Sequence, residues 1–317
     1  MEHKTIQLGT VAVVLALMLR LAGGTDAQLR EMGSTLLMFS SGRMVLPEKI
    51  QPAETEPPPT TVPVTEPIEI PAFGQAQKDL VQVEAAWAVD TLSLLKAPLQ
   101  WNLRSEKPTV LILHTHATES YEKKETYTES SPYRTLDTGF NMVSIGDRVA
   151  EILEEGGIRV IHDRTLHDHP SYNDAYSRAR SSIQKILEEN PSVCMVLDLH
   201  RDAMTDESGH QKAQTATLQG TKAAKLMLVM GSDKGQLSYP LWESNLSLAV
   251  KLQAQLEGKN PGLCRPIRLV KSRYNQDLST GALLIEIGSA GNTREQALYS
   301  AELLAQGILA LADGANV

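Results

Sequence analysis

VCMVLDLHRD, residues 193–202, is the stretch from which the fold is read. Its first seven residues, Val193 to Leu199, are a short apolar run that follows Asn190-Pro191. A run of this kind is expected for a strand covered by helices on both faces of a sheet. It ends among ionisable residues, Asp198, His200, Arg201 and Asp202. Upstream, Thr109 to Leu113 (TVLIL) is a second buried strand, and Ile158 to Ile161 (IRVI) is a third. Between them Met142 to Glu155 has helical spacing and stops at Gly156-Gly157, a helix-end signal. Tyr172 to Glu189 reads as a long helix closed by Asn190-Pro191, and Asp79 to Leu95 as an earlier one. Downstream come a strand at Lys225 to Met230, a helix at Leu246 to Leu256, a strand at Leu283 to Ile287 and a helix at Thr293 to Ala312. Strands alternating with helices predict an α/β fold with a mixed or mostly parallel sheet flanked by helices.

The 317-residue chain is long enough for a sizeable core. Its net charge of -8 excludes a nucleic-acid binder that works by electrostatics. There are two cysteines, Cys194 and Cys264, and no CxxC pair, so any metal must be held by His and carboxylates. At the N-terminus Lys4 precedes a mostly apolar stretch, Ile6 to Ala22, interrupted by Arg20. Residues 1–27 read as an uncleaved membrane anchor, with a secretory signal peptide as the rival, since no clear small-residue cleavage site follows. The weak positive-inside signal from Lys4 places the remainder outside the membrane. Residues 28–46 form a juxtamembrane segment, and 47–74 a linker rich in Pro, Thr and Glu that cannot bury enough surface to fold. Residues 75–317 are then the catalytic domain.

In open α/β sheets active sites lie beyond the carboxyl ends of the strands. Three buried strands here carry ionisable residues at those ends. The first runs into His114-Thr115-His116-Ala117-Thr118-Glu119, where His116 and Glu119 form an HxxE pair able to face one point. The second supplies His200. A His, Glu, His set with an open fourth position suits a catalytic Zn2+ site. His114 is a further candidate ligand, or else a core or orienting histidine. The third strand, LLIEIG, places Glu286 in an apolar run, where a carboxylate is costly unless paired or functional. Beside zinc it is a candidate general base and acid. The alternative is an ion pair with Arg201 or Arg273. Asp198 and Asp202 are candidates for capping helices or orienting His200. His162, His167, His169 and His210 fall in polar stretches and read as solvated.

The motifs VLILHTHATESY (110–121), DLHRDA (198–203), NPGLCRPI (260–267), YNQDLS (274–279) and LLIEIGSAGNT (283–293) together resemble the stage II sporulation protein P family. The resemblance spans roughly residues 107–312. It implies a zinc amidase/carboxypeptidase-like fold and an N-acetylmuramoyl-L-alanine amidase that also acts as an endopeptidase on stem peptides. It further implies septal peptidoglycan as substrate during engulfment. The implied partner is a lytic transglycosylase, the D protein of the same sporulation stage. IEIGSAGNT is also similar to the catalytic-glutamate region of the wider zinc amidases, which falls on Glu286. Their strand-end histidine falls on His200, and their N-terminal one on either His114 or His116. The wider pattern has its ligand glutamate further downstream than Glu119. Arg201, Asp202, Tyr274, Asn275 and Gln276 are implied as substrate contacts or as groups that orient the site. Two rival functions are a secreted zinc carboxypeptidase, which needs an arginine clamp, and an inactive membrane-anchored scaffold that binds the wall.

Overall fold

The computed structural model describes residues 73–99 and 102–314. Its strands are β1 (Val83–Glu84), β2 (Val110–Leu113), β3 (Val160–His162), β4 (Met195–Asp202), β5 (Thr215–Leu218), β6 (Thr221–Ala224), β7 (Leu226–Met230), β8 (Ile267–Leu269) and β9 (Ala282–Ser289). Its helices are α1 (Gln75–Lys78), α2 (Thr91–Lys96), α3 (Met142–Glu155), α4 (Ala175–Glu189), α5 (Trp242–Lys259) and α6 (Arg294–Ala312). β5 and β6 form a separate antiparallel hairpin, and the other seven strands make one sheet in the order β1-β8-β7-β9-β4-β2-β3. Strands β3, β2, β4 and β9 run parallel; β7 is antiparallel to β9, and β8 and β1 follow the direction of β7. The expected mixed, mostly parallel α/β sheet is the observed one.

Successive side chains of a strand point to opposite faces. Ile112, Leu197, Leu199, Ile285 and Ile287 enter the large core that also contains Ile145 and Val149 of α3, Leu252 of α5 and Leu304 of α6. Leu111, Leu113, Val196 and Ala282 enter a smaller core with Ala179 and Ile183 of α4. The same alternation carries Asp198 and His200 of β4, and Glu286 of β9, onto the α4 face. Pairing register sets Asp198 beside Leu113, and His200 beside Glu286. Chain direction thus gathers the carboxyl ends of four strands, and strand parity chooses the face.

Several boundaries shift for local reasons. α3 spans the expected residues, with Asn141 accepting from Val143 N–H at 3.0 Å and Gly157 in the left-handed region (φ 83) after its end. α4 starts at Ala175 rather than Tyr172 because Asp174 has φ 64, outside right-handed helix geometry. β4 continues past Leu199 to Asp202, so His200 lies within the strand rather than beyond it. The expected helix over Asp79–Leu95 does not form. From Val81 to Val89 half-buried residues alternate with exposed ones at period two. Val83 and Glu84 instead pair with β8, leaving only Thr91–Lys96 helical, capped by Asp90. The anchor, the juxtamembrane segment and all of the linker except Phe73 and Gly74 lie outside the described residues. Among the described residues no helix is long and apolar enough to cross a membrane.

Candidate active site

The turn after β2 is fastened to β4 through Asp198. Thr115 donates to it twice, from N–H at 2.8 Å and from Oγ1 at 2.6 Å. Burial opposes the Asp198 charge, but His200 and the two Thr115 bonds hold its pKa at about 2. Asp198 Oδ1 lies 2.9 Å from His200 Nε2, a charge contact that is out of line for a good hydrogen bond. The other His200 nitrogen, Nδ1, faces Glu119 Oε2 at 3.7 Å. Against the effect of burial, His200 is lifted to about 9 by Asp198, Glu119 and Glu286.

Glu119 sits on the turn begun by His116, its N–H donating to His116 O at 3.1 Å. Arg201 N–H donates to its Oε2 at 3.2 Å, and Arg134 Nη2 to its Oε1 at 3.3 Å. Arg134 also donates to Asp168 at 2.7 Å, and Asp168 accepts from Thr118 Oγ1 at 2.6 Å. Arg201 donates from Nε to Ser120 O and from Nη2 to Tyr133 O, at 3.0 and 2.9 Å, and its Nη1 lies 3.7 Å from Glu119 Oε1. Both arginines therefore buttress the Glu119 turn.

The His116 ring stacks on Tyr172 (centroids 4.4 Å apart, planes at 5°) and meets His200 and Tyr176 edge-on at 5.4 and 5.5 Å. Its Nδ1 is buried and has no hydrogen-bond partner. Burial, followed by the nearby His200, lowers its pKa and keeps the imidazole neutral, the form that binds metal. Glu286 lies between His200 of β4 and Met227 of β7. Its Oε2 is buried without a partner, and burial drives its pKa up to about 8 against the pull of His200. The ion-pair alternative does not materialise: Arg201 is spent as described, and Arg273 Nε pairs with Asp277 at 3.1 Å.

The two histidines after β2 part company. His114 points to the α3 side, its Nδ1 3.0 Å from Leu199 O and its Nε2 2.9 Å from His162 Nε2. Gly146 of α3 closes over this pair; a Cβ there would stand 2.5 and 2.6 Å from the two Nε2 atoms. Both His114 nitrogens are occupied, and burial followed by His162 lowers its pKa to about 3. His162 and His167 are not solvated as expected. His162 bonds His114 and Asp147, while His167 is buried with Nε2 3.1 Å from Asp163. The implied residues at 274–276 divide as well. Gln276 is spent structurally on Gly231 N–H and Val229 O, both at 2.8 Å, and Asn275 Nδ2 donates to Tyr176 O at 2.8 Å. Tyr274 faces Tyr176, with centroids 5.7 Å apart. Asp202 is paired with Arg265 at 2.6 Å.

A family model described as stage II sporulation protein P matches residues 50–309. The chain belongs to the stage II sporulation protein P family. Over 202 residues it is 30% identical to stage II sporulation protein P of Bacillus subtilis (strain 168), covering 60% of this chain and 48% of that protein. It thus spans about half the length of the curated relative it matches. Among solved structures, N-acetylmuramoyl-L-alanine amidase AmiC2 of Nostoc punctiforme is similar at 17% identity and a TM-score of 0.38, over 63% of this chain and 95% of that one. The CwlD amidase of Clostridioides difficile, solved with the GerS lipoprotein, is similar at 16% identity and a TM-score of 0.40, over 63% and 94% of the two chains.

Among the described residues no three His, Cys, Asp or Glu side chains stand together at metal-ligand spacing. The donor set nonetheless suits zinc in kind. His116, Glu119 and His200 are all buried, His116 Nδ1 has no other partner, and Asp198 backs His200 as carboxylates do behind metal-binding imidazoles. His114, on the other face, does not share that space. His116→Ala is expected to lose bound zinc, and His114→Ala to keep it, by elemental analysis of the purified protein; the reverse pattern moves the ligand role to His114.

Sequence reasoning did not reach Tyr172, Tyr176, Arg134 or Asp168. Arg134 and Asp168 come from loops without a periodic signal; Tyr172 and Tyr176 fall in the expected helix over 172–189, but only tertiary packing shows that they meet His116.

Proposed function

We propose that this chain is a zinc-dependent peptidoglycan hydrolase of sporulation that cuts the amide between N-acetylmuramic acid and L-alanine, with a secondary endopeptidase action on stem peptides. The observation that carries this reading is Glu286, a half-buried residue whose Oε2 is buried and unpartnered, one strand away from His200 and on the same sheet face as Asp198. His116, Glu119 and His200 would hold the metal, which when bound supplies Lewis acidity toward the amide carbonyl. The chain's own groups do the rest. Asp198 fixes the His200 ring, and the two arginines fix Glu119. Glu286 takes a proton from the attacking water and returns it to the L-alanine nitrogen as the C–N bond breaks. A pKa raised by burial suits a group that must both accept and release that proton.

The carboxypeptidase alternative loses ground, since the two arginines beside the site are already committed to Glu119, Asp168 and backbone carbonyls. In this reading the N-terminal segment anchors the enzyme in the membrane. The linker reaches the wall from the outer side, and a lytic transglycosylase, the stage II sporulation protein D, works on the same sacculus. Mass spectrometry of the soluble products from purified sacculi tests the cleavage. Stem peptides with a free L-alanine amino group are expected. Release of terminal D-alanine alone would indicate a carboxypeptidase, and no release by zinc-loaded protein would leave the scaffold reading.

A further inference from the structure

We propose that the Tyr176 hydroxyl contacts the substrate, donating a hydrogen bond to the carbonyl oxygen of the amide being cut. The inference rests on the hydrolase reading above and adds to it a donor to the negative charge that develops on the carbonyl oxygen. Tyr176 lies in the first turn of α4, the helix that packs on the sheet face carrying Asp198, His200 and Glu286. Its ring is held between two aromatic neighbours, edge-on to His116 at 5.5 Å and tilted to Tyr274 at 5.7 Å.

Its placement is enforced from both sides. The Tyr176 carbonyl accepts from Asn275 Nδ2 at 2.8 Å, and Arg180, four residues along α4, makes two bonds to Asp277 at 3.0 and 2.8 Å. The loop so tied contains two consecutive non-glycine residues in the left-handed region, Tyr274 (φ 51) and Asn275 (φ 58). Such a conformation persists only where the surroundings over-determine it, and it concentrates at functional sites. Here its effect is to set Tyr274 against Tyr176.

The hydroxyl itself has no hydrogen-bond partner among the described residues, although its ring is half-buried. The stronger donors nearby are spent: Arg134 on Glu119, Thr118 and Asp168, and Arg201 on Glu119, Ser120 and Tyr133. Thr115 and Thr118 donate to Asp198 and Asp168. When water adds to the carbonyl carbon, the π electron pair moves onto the carbonyl oxygen, and the Tyr176 O–H is an uncommitted donor on the helix that packs against this sheet face. On collapse the pair returns, the C–N bond breaks and the nitrogen takes its proton from Glu286, so the phenol donates throughout without losing its own proton. A donor fixed in advance at such a position supplies much of the rate of acyl transfer.

The test is Tyr176→Phe in the zinc-loaded full chain, which keeps the ring and its packing. Turnover on sacculi is expected to fall on the order of 10²-fold, the scale for loss of one oxyanion donor. Zinc content, melting temperature and the binding of uncut sacculi should stay as in wild type. A phosphinate analogue of the muramoyl–alanine link, which presents the tetrahedral oxygen, should bind the variant more weakly by a similar factor. Phosphinate affinity within about threefold of wild type would overturn the proposal, whatever happens to turnover. Wild type that neither cuts sacculi nor binds the phosphinate would remove the hydrolase reading and this inference together. Wild type that does both, beside an unaffected variant, would remove the inference alone.

Discussion

Glu286→Gln is expected to fold, hold zinc and bind peptidoglycan, yet to lose turnover by roughly 10²- to 10⁴-fold, the scale of general acid–base catalysis. The amide keeps the size and shape of the carboxyl and removes its basicity. Stability separates this role from a structural one. Glu286 is half-buried, its buried Oε2 lacks a partner, and its pKa rises from 4.5 to about 8. The folded protein therefore holds that proton more tightly than the unfolded chain does. Without metal, this group's contribution to stability falls as pH rises from 4.5 to about 8, because ionising it is easier in the unfolded chain. Glutamine abolishes that loss. Metal-free Glu286→Gln should match wild type in melting temperature near pH 4.5 and exceed it near pH 8. A carboxylate that balanced a buried arginine would behave in the opposite way, costing about 3–5 kcal/mol when neutralised. Thermal melts across that range, with zinc content and sacculus digestion on the same preparation, distinguish the two. A mutant that melts lower yet digests normally would remove Glu286 from the chemistry.

His200→Ala should abolish both zinc binding and turnover. His200 is the residue on which the site's contacts converge: Asp198 on one nitrogen at 2.9 Å, Glu119 on the other at 3.7 Å, Glu286 on the adjoining strand and the His116 ring at 5.4 Å. Its removal takes away one donor and leaves two buried carboxylates facing a gap. Asp198→Asn is the graded counterpart. It leaves the ring in place and weakens its orientation, which for such outer partners reduces metal affinity or activity by about 10- to 100-fold. Zinc titration of the two variants should rank them in that order. Full zinc occupancy in His200→Ala would exclude His200 from the metal site.

The parts of the fold that could be read directly were those whose physics is local. A buried strand such as Val110–Leu113 announces itself as an unbroken apolar run, Ala282–Ser289 as one interrupted by Glu286, and the end of α3 as paired glycines. The spacing of Asp198 and His200 already places both on one face, because strand side chains repeat every second residue. That His200 lies beside Glu286 depends on strand register, which neither strand carries by itself. The choice between His114 and His116 was likewise hidden. It follows from Gly146 and His162, which come from distant elements and claim His114 for the other side of the sheet. Val81 to Val89 misled because its apolar residues fit a helical stripe and a period-two pattern at once, and pairing with β8 settled the matter. Arg134, Tyr172 and Tyr274 arrive through loops, where no periodicity speaks for them; Tyr176 and Arg201 lie on elements that could be read, α4 and β4, but what they touch depends on tertiary packing.

The most direct measurement is an anomalous-scattering map recorded at the zinc edge on crystals of the zinc-loaded chain. A single strong peak is expected on the α4 face, within about 2.0–2.2 Å of a nitrogen of His116, a nitrogen of His200 and an oxygen of Glu119, with Glu286 next to it but not bound. A peak between His114 and His162, or none on the α4 face, would contradict the site assembled from Asp198, His200 and Glu286.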